Sequence, residues 1–367
     1  MQKHPLKLLL IGGTGVLSSA VARRAMATGL SVTMINRGSR PAPEGAERLV
    51  CDCRDLGAVE ALLVGRRFDA VIDFLSWTAD QLRASFPLYS PHCSQYVFIS
   101  TSAVYDTRVP GWKSEDAPKV NPLWDYSGEK WDCERLLAEL AVGSPCRTTV
   151  IRPSITYDDT RIPYGVMPRN GTHWTLAARI LAGKPVVRWN GGVARWNMTR
   201  AEDFAVGCVG LVGNERAFGE AFNVCGDETP SFAEVIDTVA GLLGKKAVAV
   251  DVDAEFYAKE IPRKAGEILG GRSLDSLDSN ARLKSAVPEF RQTIGLREGI
   301  ARTLDAYRRQ NYQLGIDWTF DAETDRTIRN WCLARGIDPS RYNLAFTDYL
   351  GTATEADRKT YSDTMLA

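Results

Sequence analysis

The chain has 367 residues, 44% of them hydrophobic, with 45 basic and 45 acidic side chains. That length and apolar content support a large two-lobed core with no Gly/Ser/Pro-rich linker, and the balanced charge supplies no global field for drawing in nucleic acid or an anionic membrane. Met1–Lys7 is polar and Leu8-Leu9-Leu10-Ile11 too brief for a signal segment, no stretch approaches the ~18 apolar residues of a membrane span, and eight cysteines without a CxxC read as reduced thiols of a cytoplasmic protein.

Along the first half, short apolar runs alternate with helical patterns. Strands are expected over Lys7–Ile11, Ser31–Ile35, Arg48–Cys51, Ala70–Phe74, Tyr96–Ser100 and Thr148–Arg152, with helices over 18–28, 56–64, 79–88 and 126–141. This is the pattern of βαβ units, and right-handed crossovers turn it into a Rossmann-type, doubly wound parallel sheet. Beyond Pro153 the pattern loosens into loops rich in Gly, Pro, Trp and Arg over 157–200, around a helix at Trp174–Ala182 and a strand near Val186–Trp189. Helices at 201–213, 231–243 and 296–311 follow, with strands at Ala221–Val224 and Ala247–Val250, then helical patterns around 321–335 and 354–365. The fold class is therefore α/β. A nucleotide-binding domain is expected over 1–165 with segments near 201–230 returning to it, a smaller mixed α/β substrate-binding lobe over 166–311, and a helical extension over 312–367 whose role its residues do not disclose.

Gly12-Gly13-Thr14-Gly15-Val16-Leu17-Ser18 follows the first strand and opens the first helix, the context a dinucleotide loop requires. Gly12 allows the tight turn, and Gly15 lets the backbone approach a pyrophosphate at the positive end of the helix. Ser18 occupies the third small position, at some steric cost. The second strand ends at Asn36-Arg37-Gly38, which offers no acid to the ribose hydroxyls. Arg37, with Arg40 nearby, suits a 2′-phosphate, so the cofactor reading is NAD or NADP with a lean to NADP; an ordinary exposed arginine is the alternative. Asp52, closing the third strand, either accepts from an adenine amino group or caps its own turn.

Tyr126 and Lys130 lie one helical turn apart and share a face. A phenol with pKa about 10 is a poor base at neutral pH, but an adjacent ammonium favours the phenolate, which makes the pair a proton shuttle. Ser100-Thr101-Ser102 closes the fifth strand at the sheet edge where doubly wound folds bind ligands. A hydroxyl there can bond a reacting oxygen or simply its local backbone.

The glycine loop, Ser100-Thr101-Ser102-Ala103-Val104-Tyr105 and Tyr126-Ser127-Gly128-Glu129-Lys130 resemble the extended short-chain dehydrogenase/reductase family, whose best-known members are sugar-nucleotide epimerases. The resemblance covers roughly 6–310, including Arg152-Pro153-Ser154 and Gly219–Val224; Asn36-Arg37-Gly38 and Phe68–Asp73 are similar to a branch that also holds chloroplast stem-loop-binding proteins. It implies Thr101 as the catalytic hydroxyl with Ser102 as runner-up, Tyr126 as the base, and Lys130 as both pKa-lowering charge and ribose ligand. Pro153 and Ser154 would line the nicotinamide, with Cys53, Phe74 and Ser100 among the further cofactor contacts. The family's 4,6-dehydratases carry Asp-Glu after the hydroxyl residue; here Ser102-Ala103 stands there, so dehydration is disfavoured.

What remains is reversible oxidation of a sugar hydroxyl and re-reduction, a 4-epimerase mechanism, or a single hydride transfer by a reductase of a keto sugar or small carbonyl compound. A non-catalytic RNA-binding or redox-sensing protein is the third reading, against which the intact Thr101/Tyr126/Lys130 set argues. For a sugar-nucleotide substrate the resemblance points to Arg188, Arg195 or Arg200 as the phosphate cation, Arg195 being preferred, although each could instead snorkel over Trp189 and Trp196. Trp77, Trp112, Trp124, Trp174, Trp189 and Trp196 could stack a base or sugar, or be core. His173 is a lone histidine with no partner at metal-ligand spacing, and no metal is expected. Helices near 79–90 and 126–141 are expected to pair across a two-fold axis in a homodimer.

Overall fold

The computed structural model describes residues 5–169, 171–311, 313 and 315–367. Most of the polar leader, Met1–His4, thus lies outside the described residues. Seven parallel strands form the central sheet: β1 (Lys7–Ile11), β2 (Ser31–Asn36), β3 (Glu47–Val50), β4 (Phe68–Asp73), β5 (Cys93–Ile99), β6 (Arg147–Pro153) and β7 (Ala221–Val224). Their spatial order is β7-β6-β5-β4-β1-β2-β3, with the reversal of winding beside β1. The register sets Leu8 against Val32 on one side and Ala70 on the other.

Period-two alternation then divides the strands' side chains between two cores. Leu8, Leu10, Met34, Ile72 and Val97 pack under α1 (Val16–Ala27) and a helix over Ala201–Gly210, whereas Leu9, Ile11, Val71 and Phe98 pack under α2 (Leu56–Leu63), α3 (Ala79–Tyr89) and α4 (Asp125–Ala141). Burying each such side chain stabilises the fold by roughly 1.5–3 kcal/mol, and both faces being covered explains why the runs read as continuously apolar. β5 starts at Cys93, three residues before the expected Tyr96. Polar Gln95 does not interrupt it, because its buried amide donates to Thr149 Oγ1 at 2.9 Å and to the Leu211 carbonyl at 3.0 Å.

The chain divides into two compact units. The first comprises residues up to 156 with 197–228 and 277–293; the second comprises 157–196, 229–276 and 294–367. Three boundaries thus differ from those expected, the first being that 157–165, expected in the nucleotide-binding domain, fall in the second unit. Residues 277–293, expected in the substrate lobe, pack with the sheet unit, where Leu283, Val287 and Phe290 join the core of the α1 face. The C-terminal segment, expected as a separate extension, is part of the second unit. Its helix over Trp318–Ala334 starts three residues before the expected 321 because Asp317 caps it, accepting from the Phe320 amide at 3.1 Å.

The second unit carries a cluster of buried charge. Arg179 donates to Asp321 at 2.5 Å and to Asp325 at 2.7 Å, Lys184 reaches Asp325 at 2.5 Å, and all four side chains are sealed from solvent. Tyr349 and Tyr361 donate to Asp321 and Asp325, each at 2.6 Å. Among the described residues no helix is long and apolar enough to cross a membrane.

Candidate active site

The β1–α1 turn is shaped by its small residues. Gly12 has φ +88°, where a side chain is strained, and a Cβ on Gly13 would lie 2.2 Å from Met34 Cε. A Cβ on Gly15 would meet only Ser18 Oγ at 3.5 Å, so this face of the turn stays open beside the unsatisfied first amides of α1, including those of Val16 and Leu17. The steric cost expected at Ser18 is not what the side chain contributes. Its Oγ accepts from the Gly15 amide at 2.9 Å and donates to the Gly12 carbonyl at 3.1 Å, stitching the turn that a third glycine would leave loose.

At the end of β2, Asn36 Oδ1 accepts from the Gly38 amide at 2.9 Å while Nδ2 is buried without a partner. Arg37 and Arg40 are exposed, and Arg40 reaches the Thr14 carbonyl at 3.4 Å. Asp52 Oδ1 accepts from the Arg54 amide at 3.0 Å, the turn-capping geometry, and the Arg54 amide and guanidinium hold its carboxyl below the usual range. The Cys53 thiol donates to the Ile35 carbonyl at 3.7 Å, and burial pushes its pKa up to about 12, so it stays neutral. Phe74 continues β4, its amide on the Ile11 carbonyl at 3.3 Å.

At the end of β5, Thr101 Oγ1 accepts from the Ala103 amide at 3.1 Å, which leaves its own O–H to be donated. Ser102 is 1% exposed and its hydroxyl has no partner; Thr101 is only half-buried and is the more accessible of the two. Lys130 lies under the same strand end, donating to the Ile99 carbonyl at 3.1 Å and the Ser76 carbonyl at 3.0 Å, so two of its three protons are used. Burial lowers its pKa, opposed by the nearby charges of Cys133, Asp73 and Glu134. The half-buried Tyr126 ring sits between Trp124, 5.4 Å away, and Trp77, 6.3 Å away.

A buried polar network fixes this geometry, and the sequence reasoning missed its centre. Glu134, one turn beyond Lys130, accepts from Ser100 Oγ at 2.5 Å and from Arg152 at 3.0 and 2.5 Å. Arg152 also donates to the Tyr105 hydroxyl at 2.8 Å, which donates to Asn223 Oδ1 at 2.6 Å. Ser100, expected among the cofactor contacts, thus has its hydroxyl on Glu134 of α4. The available signal was an acid at i+4 from the lysine together with an arginine at the end of β6. The network ties α4 to the ends of β5 and β6, which sets the helix phase that presents Tyr126.

Among the described residues, three buried polar atoms lack partners at strand ends along this edge: Asn36 Nδ2 closing β2, Ser102 Oγ after β5 and Ser154 Oγ after β6. Buried polar groups are normally satisfied, so orphans along the carboxyl edge of the sheet, beside an open glycine turn, fit a bound dinucleotide. Of the candidate phosphate cations, Arg188 and Arg195 belong to the second unit and Arg200 to the first. Arg188 is paired with Asp251 at 2.7 Å and Arg200, 1% exposed, with Glu202 at 2.7 Å, whereas Arg195 rests on neutral acceptors, the Thr229 carbonyl and Oγ1, each at 2.9 Å. His173 is buried, and burial and Arg161 bring its pKa down to about 4, so it is neutral. Trp174, Trp189 and Trp196 are core; Trp77 and Trp112 are exposed.

The model of the NAD dependent epimerase/dehydratase family matches residues 8–225, more than half of the chain. The chain belongs to this family. As a member it is an NAD-dependent enzyme of the epimerase/oxidoreductase kind. It is 26% identical over 264 residues to a 2′-dehydrokanamycin reductase of Streptomyces kanamyceticus, covering 71% of the chain and 73% of the relative. It is also 26% identical over 242 residues to the chloroplast stem-loop binding protein of 41 kDa b of Arabidopsis thaliana, covering 62% of the chain and 60% of that protein. Among solved structures, the UDP-glucose 4-epimerase of Thermotoga maritima with UDP-glucose superposes with a TM-score of 0.66 at 17% identity, over 83% of this chain and 100% of that one. That likeness is one of fold.

Proposed function

We propose that the protein is an NAD(P)-dependent sugar-nucleotide epimerase. The observation that carries this reading is the setting of Thr101: its O–H is left to donate, Lys130 lies beneath the same strand end, and Ser102-Ala103 supplies no carboxylate for elimination. Thr101 would donate to the reacting sugar oxygen, and Tyr126, as phenolate, would accept the hydroxyl proton and later return it. The Lys130 ammonium would favour that phenolate and hold a ribose hydroxyl with its remaining proton. A bound nicotinamide supplies the hydride acceptor and donor. Gly12–Leu17, Asn36, Pro153 and Ser154 would hold the cofactor, and Arg195, whose guanidinium donates to the Thr229 carbonyl and hydroxyl oxygens, is the candidate cation for the pyrophosphate of a sugar nucleotide.

A reductase working through the same residues is the second reading, favoured by the 26% identical 2′-dehydrokanamycin reductase. The two differ in whether cofactor is retained through the cycle. Mass spectrometry of nucleotides released on denaturing fresh protein is expected to find NAD or NADP with a sugar nucleotide. Protein empty of both, yet binding added NADPH and oxidising it with a keto sugar, would replace the epimerase by the reductase.

Arg37, exposed at a β2 end without an acid, would meet a 2′-phosphate and set a preference for NADP. Arg37→Ser should weaken NADPH binding roughly tenfold or more while NADH binding changes little, since a charge-assisted contact is worth about 1.5–3 kcal/mol. Equal loss for both nucleotides, read by titration, would return Arg37 to an ordinary surface residue. The assembly we infer is a cytoplasmic homodimer using the outer faces of α3 and α4, and sedimentation showing only monomer at micromolar concentration would remove it.

A further inference from the structure

We propose that Trp77 is the platform of the sugar subsite: an indole on which one face of a pyranose ring stacks, presenting its carbinol to Tyr126. The inference rests on the reading that the substrate is a sugar. Two tryptophans, Trp77 and Trp112, are more than half exposed, and of these Trp77 flanks the Tyr126 ring. Trp174, Trp189 and Trp196 are 4%, 2% and 2% exposed, as large apolar side chains normally are, whereas Trp77 is 55% exposed immediately after the β4 end.

That exposure is held by a fixed backbone. The Trp77 amide donates to Gln81 Oε1 at 2.7 Å, its carbonyl accepts from Cys133 Sγ at 3.6 Å, and the preceding Ser76 is tied to Asp73 through its hydroxyl at 2.5 Å. The Ser76 carbonyl is also an anchor of Lys130, so the residue that carries the indole and the residue that charges the catalytic phenol share one support. The indole centroid lies 6.3 Å from the Tyr126 ring at 39°, and the Lys130 ammonium is 5.8 Å from it.

An exposed aromatic face on a fixed backbone, beside a proton-transferring hydroxyl, selects a ligand with one apolar face and a polar rim. A pyranose has that form: its axial C–H bonds lie on a π face while its hydroxyls stay at the edge, open to Thr101 and Tyr126. Indoles supply much contact area at small cost in ordering, and a backbone already fixed lowers that cost.

Saturation-transfer NMR with UDP-glucose, galactose and glucosamine tests the platform, with UDP and NADPH as ligands lacking the pyranose. The wild type is expected to saturate ring C–H protons of one pyranose face. Trp77→Ala should reduce that signal, and UDP-glucose affinity, about tenfold, Trp77→Phe should restore most of both, and UDP and NADPH affinities should stay unchanged. Binding of the free sugars but not UDP-glucose, still lost in Trp77→Ala, would keep the platform and remove the nucleotide-linked substrate. The proposal is overturned if no pyranose binds the wild type, if Trp77→Ala binds them equally well, if it loses NADPH (the indole then serves the cofactor), or if it dissociates a dimer (the indole is then a subunit contact).

Discussion

Tyr126→Phe is expected to lower turnover by about 10²- to 10⁴-fold while leaving the fold and nucleotide binding intact, because it deletes the proton-transferring oxygen and nothing else. The substituted ring keeps its place between Trp124 and Trp77, at 5.4 and 6.3 Å, and Lys130 keeps its anchors on Ser76 and Ile99. The loss should therefore fall on kcat, with substrate KM within a few-fold of wild type. A pH profile sharpens the test. Burial depresses Lys130, so its ammonium is lost at lower pH than that of an exposed lysine. Above that point the nicotinamide ribose loses its charged ligand, and the wild-type rate should turn down on the alkaline side. Tyr126→Phe should lower the rate across the whole profile and keep that limb. A variant retaining a tenth or more of wild-type turnover would move the base elsewhere, Thr101 being next in line.

Much of this site was legible because its chemistry is local in sequence. The glycine turn, the strand-end hydroxyls and the Tyr126/Lys130 spacing each lie within a few residues, and the apolar runs located the strands they follow. What was not legible depends on pairings across the fold. Glu134 reads as an ordinary helical acid until Arg152 and Ser100 arrive from β6 and β5 to bury it. Ser18 reads as an imperfect glycine, since a hydroxyl's value in a turn depends on which backbone groups come within 3 Å. Gln95 reads as a strand boundary, although its satisfied amide makes it interior. Residues 277–293 return to the first unit through Leu283, Val287 and Phe290, whose spacing suits either unit equally. The orphaned Asn36, Ser102 and Ser154 atoms are a property of three dimensions alone: only burial distinguishes a polar group awaiting a ligand from one facing water.

The C-terminal segment, mute as sequence, gives the largest stability effect. Asp325→Ala should destabilise the second unit by about 3–5 kcal/mol, because removing one partner of a buried ion pair strands the others. Asp325 accepts from Arg179 at 2.7 Å, from Lys184 at 2.5 Å and from the Tyr361 hydroxyl at 2.6 Å. Without it two buried cations share Asp321 alone, with Lys184 3.4 Å from that carboxylate. Tyr361 is the one buried residue of the terminal helix Glu355–Leu366, so hydrogen exchange there should accelerate first, ahead of the global transition seen in urea. Charge and shape can be separated. Asp325→Asn keeps the shape but not the charge and should recover little, whereas Asp325→Leu with Arg179→Met removes a cation together with its carboxylate. That double change should cost clearly less than the two single changes summed, since an apolar replacement leaves no uncompensated charge. A loss below about 1 kcal/mol for Asp325→Ala would mean that water reaches the cluster and that the aromatic packing of Trp318 on Phe346 and Tyr349, at 5.0 and 5.9 Å, holds the segment instead.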